Sequence, residues 1–210
     1  MRIGLLSDIH ADPEPLGEAL RIFTARGVDM VLCAGDIAGY GEHLPECIEL
    51  LKTHACKVVL GNHDLWHLED WQGPPRETEA YLRDLPRFFA MQIEEVDLHM
   101  VHASPLDPLN EGISLRAVDG SLRPDACRTW RSTLSGYRCD VLVVGHTHQV
   151  FAVELGRVLI VNPGSCHFNH SCAILHLPHR EVEVVPLLGQ QPLLSWNFGH
   201  ERRGGNDILN

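Results

Sequence analysis

The chain has 210 residues, 44% of them apolar, and a formal net charge of -11. Such a length and apolar content suit one domain with a real hydrophobic core. The absence of any run of 18 apolar residues excludes a membrane-spanning helix, and the acidic balance argues against tight binding to a nucleic-acid backbone, which needs a basic surface.

The first apolar run, Ile3–Leu6, stops at Ser7-Asp8-Ile9-His10. No small-residue cleavage site follows it, so a cytoplasmic location is expected. Asp12 is placed to cap a helix with Pro13 in its first turn. Leu16, Ala19, Leu20 and Phe23 then fall at i, i+3, i+4 and i+7, and Gly27 ends the pattern. A second run, Met30–Ala34, leads into Gly35-Asp36. Leu44, Cys47, Ile48 and Leu51 repeat the helical spacing. Val58–Leu60 then leads into Gly61-Asn62-His63-Asp64. Short, β-branched apolar runs read as buried strands.

Residues 65–94 read differently. They hold Trp66, Trp71, Gly73-Pro74-Pro75 and Phe88-Phe89, which suggests a loop with a short helix near Thr78–Leu85. That segment is either a lid over a site or a set of aromatics packed on the core. Strand patterns resume at Val96–Val101, ending in His102, and at Val141–Val144, ending in Gly145-His146-Thr147-His148. Val158–Val161, Ala173–Leu177 and Val182–Val185 look like further strands, which places a single domain at 1–188. The tail, 189–210, has little periodicity and is expected to be mobile or docked loosely.

Strands that alternate with helices imply a βαβ layout with the strand ends aligned. Ligands collect beyond the carboxyl ends of such strands. Asp8, His10, Asp36, Asn62, His102, His146 and His148 all stand at such ends and so point to one shared site. In an extended segment residues two apart share a side, so Asp8 with His10, and His146 with His148, can each face one ion. The donors are oxygen and nitrogen without thiolate, which suits divalent Mn, Fe, Zn, Co or Ni better than Ca. A lone histidine at a strand end is more often structural than a ligand. The joint occurrence of five such elements is what carries the reading. The seven cysteines are odd in number and form no Cys-x-x-Cys pair, so they read as reduced, buried thiols.

At Asp8-Ile9-His10, Gly35-Asp36, Gly61-Asn62-His63-Asp64, His102 and Gly145-His146-Thr147-His148 the sequence resembles the calcineurin-like metallophosphoesterase superfamily. Gly35-Asp36-Ile37-Ala38-Gly39-Tyr40-Gly41 and Asn162-Pro163-Gly164-Ser165 look like its small bacterial and archaeal phosphoesterases. The resemblance implies an α/β fold, a four-layer αββα sandwich of two mixed sheets flanked by helices. It also implies a phosphodiesterase or phosphatase with two metal ions. One would take Asp8, His10, Asp36 and His148. The other would take Asp36, Asn62, His102 and His146, with Asp36 bridging. Two ions ~3.5–4 Å apart polarise a water into a bridging hydroxide and clamp the phosphate. His63 would protonate the leaving group, oriented by Asp64.

One departure narrows the substrate. Protein phosphatases and diadenosine tetraphosphatases usually carry an arginine where this chain has Tyr40. Protein phosphatase activity is therefore disfavoured, and diesters are slightly preferred to doubly charged monoesters. The expected substrate is a small phosphoester, with a nucleotide left open. A nuclease is weakened by the acidic charge. The competing reading is an inactive binding scaffold on the same fold, although such proteins usually lose ligands that this chain retains. His167 and His170, after Ser165, either shape substrate access or are plain loop histidines. His43, His54, His67, His99, His176, His179 and His200 read as surface or packing.

Overall fold

A computed structural model describes residues 1–74 and 76–196. Five strands form the first sheet. Strand β1 (Arg2–Leu6) pairs in parallel with β2 (Met30–Cys33), and β2 with β3 (Lys57–Val58). On its other side β1 pairs antiparallel with β9 (Ser171–His176), which continues to β10 (Glu181–Pro186). The crossovers are α1 (Pro13–Ala25) and α2 (Leu44–Thr53), as the spacing predicts. Asp12 caps α1 by accepting from the Glu14 N–H at 3.2 Å, and Gly27 ends it at φ +63°.

The second sheet runs β4 (Phe88–Ile93), β5 (Val96–Val101), β6 (Val141–Val143), β8 (Val158–Pro163), β7 (Val150–Leu155). Its centre, β5-β6-β8, is parallel, and both edges are antiparallel. The sheets stack face to face. Ile3, Leu5 and Leu32 of one meet Leu98, Met100, Val141 and Val143 of the other. The outer face of the first sheet lies under Leu16, Leu20, Phe23, Cys47 and Leu51 of α1 and α2. The outer face of the second lies under Ala126, Cys127 and Trp130 of α5 (Pro124–Thr133). Helix, sheet, sheet and helix make the four layers implied by the resemblance. All seven cysteines are free thiols, five of them buried.

In residues 65–94 the short helix expected near Thr78–Leu85 is present as α4 (Glu77–Arg83), but the rest departs from the expected loop. Helix α3 (Asn62–Asp70) starts on a site residue and continues through Trp66. Phe88–Ile93 is an edge strand rather than loop. Its apolar pattern is hidden because only Ile93 is fully buried, as an edge position allows. Strand β7 and helix α5 also escape the sequence. α5 buries no residue, and β7 follows the Gly-His-Thr-His run without a break. The tail is fixed as far as residue 196. Leu193 N–H donates to Asn169, Val150 N–H to Leu194, and Trp196 N–H to His148. The remainder of the expected tail, with His200, lies outside the described residues.

Candidate metal centre

The ligands stand where strands stop. Asp8, His10, Asp36, His146 and His148 all adopt left-handed φ between +46° and +65°. The extended geometry expected for Asp8-x-His10 and His146-x-His148 is therefore replaced by tight turns. Such backbone costs about 1–3 kcal/mol per residue and persists only where the surroundings impose it. Here the surroundings are main-chain bonds between loops. The Asp8 N–H donates to Gly35 O at 3.0 Å, and the Ile9 and His10 N–H groups both donate to Asp36 O at 2.8 and 3.0 Å. Glycine is required by space at two points. A Cβ on Gly61 would lie 2.1 Å from Asp36 Oδ1, and one on Gly145 would lie 1.9 Å from Ser7 Oγ.

These turns bring all seven expected ligands together. His10 Nε2 and His148 Nε2 face each other at 3.1 Å, with Asp8 Oδ1 3.2 Å from His148 Nε2. Beside them, Asn62 Oδ1 lies 2.9 Å from both His102 Nε2 and His146 Nδ1. Asp36 Oδ2 is 3.3 Å from His102 Nε2. Asp36 belongs to two metal-capable groups, one with Asp8 and His102 and one with His10 and His63. Asp8 likewise belongs to two, one with His10 and His148 and one with Asp36 and His102.

The ring tautomers are set by main-chain oxygens. His102 Nδ1 donates to Ala34 O at 2.6 Å, His10 Nδ1 to Ala38 O at 3.3 Å, and His146 Nε2 to Asn110 O at 3.1 Å. In His10 and His146 the other nitrogen faces the cluster with its lone pair, and in His102 it faces Asp36 and Asn62. Bracing of this kind is what metal-binding histidines require.

Electrostatics agree. Burial lowers His10 to about 4, only partly opposed by Asp8 and Asp36. Burial likewise lowers His146 and His63. Burial thus favours the neutral, electron-pair-donating form of these rings. Asp8 and Asp36 resist burial because neighbouring imidazoles, His148 and His102 respectively, hold them below the usual carboxylate range. His102 is the exception: burial disfavours its charge, yet Asp36 outweighs it and lifts the ring to about 9. Anionic oxygens and neutral imidazoles on one spot fit a divalent transition ion.

Asp64 corrects an expectation. It does not orient the His63 ring. Its carboxylate accepts from the N–H groups of Asp36 at 3.1 Å, Ala38 at 2.8 Å and Gly61 at 2.9 Å. Burial and the nearby Asp36 push it up to about 6. His63 instead lies among the rings of Trp66, His10 and Tyr40, with centroids at 4.7, 4.9 and 5.1 Å. The carboxylate–imidazole pair expected there occurs at Asp12 and His167, 2.8 Å apart. Asp12 was legible only as a helix cap. Asn162 and Ser165 also gain roles: Asn162 Nδ2 donates to Gly145 O at 2.8 Å, and Ser165 Oγ to Asp8 O at 2.6 Å. Phe168 stacks on His148 and on Trp196, a contact that no sequence spacing signals. Among the spare histidines, His99 meets the Tyr137 hydroxyl at 2.8 Å and His67 meets Glu79 at 3.2 Å, both away from the ligands.

Comparison with known proteins adds to this geometry. Residues 1–179 match the family model described as the calcineurin-like phosphoesterase superfamily domain. The protein MJ0912 of Methanocaldococcus jannaschii is 44% identical over 178 residues, covering 80% of this chain and 70% of the relative. The phosphodiesterase MJ0936 of the same organism is 24% identical over 168 residues, covering 79% of this chain and 84% of the relative. Among solved structures, a metallophosphoesterase from Sphaerobacter thermophilus superimposes with a TM-score of 0.69 at 23% identity, covering 98% of this chain and 95% of the other. Among the described residues, no helix is long and apolar enough to cross a membrane.

Proposed function

The chain belongs to the calcineurin-like phosphoesterase superfamily, and on that footing we propose that it hydrolyses a small phosphoester with two divalent transition ions. Asp8, His10, Asp36 and His148 would hold one ion, and Asp36, Asn62, His102 and His146 the other. When bound, such a pair supplies an activated water and the charge that polarises the phosphoryl group. The observation that carries the reading is that Asp36 stands with His10 in one metal-capable group and with His102 in another, while Asn62 Oδ1 and His146 meet at His102, each of the three imidazoles braced by a main-chain oxygen.

The protein's own groups do the rest. Asp36 is held by the His63 N–H, which donates to Oδ1 at 2.9 Å and leaves Oδ2 toward His102. His63 sits one residue beyond Asn62 at the start of α3. It is our candidate proton donor for the leaving alkoxide. Burial lowers it, while Asp36 and Asp8 favour its charged form, and a phosphate anion beside it favours that form further. Tyr40 occupies the place of a cationic clamp, which favours a singly charged diester over a dianionic monoester.

The test is direct. Protein reconstituted with Mn²⁺ should carry two ions by elemental analysis and hydrolyse bis-p-nitrophenyl phosphate. Asp36→Asn should abolish turnover and weaken both ions. One ion or fewer, or near-normal turnover in Asp36→Asn, contradicts the shared-carboxylate arrangement. Full occupancy without hydrolysis of any ester would favour a binding scaffold.

A further inference from the structure

Helix α3 starts at the ligand cluster. Its residues His63, Trp66, His67 and Asp70 fall at i, i+3, i+4 and i+7 and so form one stripe. On a helix packed against a core such a stripe is apolar. Here it is aromatic and polar, and it lines a cavity of about 320 Å³ together with Gly39 and Tyr40. That volume lies at the low end of the ~300–1,000 Å³ of small-molecule sites, room for one ring system rather than a polymer.

Trp66 and Tyr40 leave 48% and 52% of their surfaces exposed. Both rings nonetheless lie against His63, the proposed proton donor. Tyr40 also packs against His10 and Phe168, and the half-exposed parts of the Trp66 and Tyr40 rings beside a reactive group offer stacking surface for a flat ligand. The lining has no lysine or arginine, and its only carboxylate is Asp70. An anionic group is disfavoured there. A flat ring with N–H donors at its edge is matched, with faces to stack on and an acceptor at the rim. From His63 to Asp70 the stripe advances about 10 Å, at 1.5 Å per residue, the reach a nucleoside needs beyond a phosphoryl group.

We propose that this cavity receives the nucleobase of the leaving group, so that the ester cleaved at the ligand cluster is a nucleoside ester. The inference rests on the phosphoesterase reading. It gives α3 two tasks on one stripe: His63 at the phosphoryl end, Trp66 and Asp70 at the base.

The experiment compares methyl phosphodiesters of a 5′-nucleoside and of glycerol, alike in charge at phosphorus, on the metal-loaded protein. Base stacking on an aromatic side chain predicts a preference of roughly tenfold or more in kcat/KM for the nucleoside ester. Trp66→Leu and Tyr40→Leu should bring the ratio of the two rates towards one, whereas Trp66→Phe should keep it. Free adenosine should quench tryptophan fluorescence in the metal-loaded protein, and Trp66→Leu should lose that quench. A wild-type ratio near one, or variants that lower both rates in proportion, overturns the inference while the phosphoesterase reading stands. If neither ester is cleaved, nor bis-p-nitrophenyl phosphate, the phosphoesterase reading fails. The adenosine titration then decides alone, and no quench overturns the cavity's assignment.

Discussion

A side chain that donates a proton does more for a poor leaving group than for a good one, and His63 can be judged on that difference. General acid catalysis is worth roughly 10²–10⁴-fold. His63→Ala should slow alkyl or nucleoside esters by about that factor, slow p-nitrophenyl esters less, and leave the metal content unchanged, as kcat/KM and elemental analysis will show. Equal losses on both ester types would mean that His63 only positions. His102 makes a second prediction, about the metal-free protein. Its folded value near 9 lies above the unfolded 6.5. The stability it contributes is therefore fully present below pH 6.5 and is lost as pH rises towards 9. Thermal melts of chelated protein should weaken from pH 6.5 to 8 by about 1.4 kcal/mol per pH unit at most. Metal-loaded protein should show no such slope, because an ion held by His102 would take the place of its proton. A flat profile in the chelated protein would mean that Asp36 does not hold His102 charged.

At the scale of elements, Asp64 matters through the backbone. Its three accepted hydrogen bonds join the loop after β2 to the first turn of α3, and so hold Asp36 and Asn62 in one frame. Asp64→Asn replaces a charged acceptor in a buried site. Denaturant melts should show a loss of about 1–3 kcal/mol, and metal affinity should fall roughly 10–100-fold, as it does when outer braces of metal ligands are removed. Unchanged affinity would contradict the bracing role. The same elements explain what the sequence could and could not reveal. The convergence of the seven candidate ligands was legible because each ends an apolar run, and parallel strands aim their carboxyl ends at one place. Helices α1 and α2 were legible because each buries one full apolar face. The left-handed turns were not, since Asp and His, though enriched at positive φ, adopt it too rarely for a sequence to place such a turn. Nor was Asp64's role, because main-chain donors have no sequence signature. Strand β4 and helices α3 and α5 hide for a different reason: an exposed edge, a stripe facing a cavity and a helix burying nothing all lack the apolar period that betrays a core element.

Over the whole molecule, the site straddles the two sheets. Asp8, His10, Asp36 and Asn62 follow strands of the first sheet, and His102, His146 and His148 follow strands of the second. An ion gripping both sets binds the folded chain alone, so at a thousand times its Kd it stabilises by about 4 kcal/mol. Removing it with a chelator should lower Tm and release the amides at the ends of β1, β2, β5 and β6 to hydrogen exchange together. If exchange rises at one sheet only, the ions do not tie the two. The sequence separation of these groups has a further consequence. His146 meets Asp8 across 138 positions of chain, and His148 meets the same carboxylate, so neither half can be finished while the chain is still short. A nascent chain carries only half a chelate until the second sheet docks. Metal uptake then reports on assembly itself. The rate at which a purified sample exchanges its ions becomes a clock for how often the two halves of the protein part.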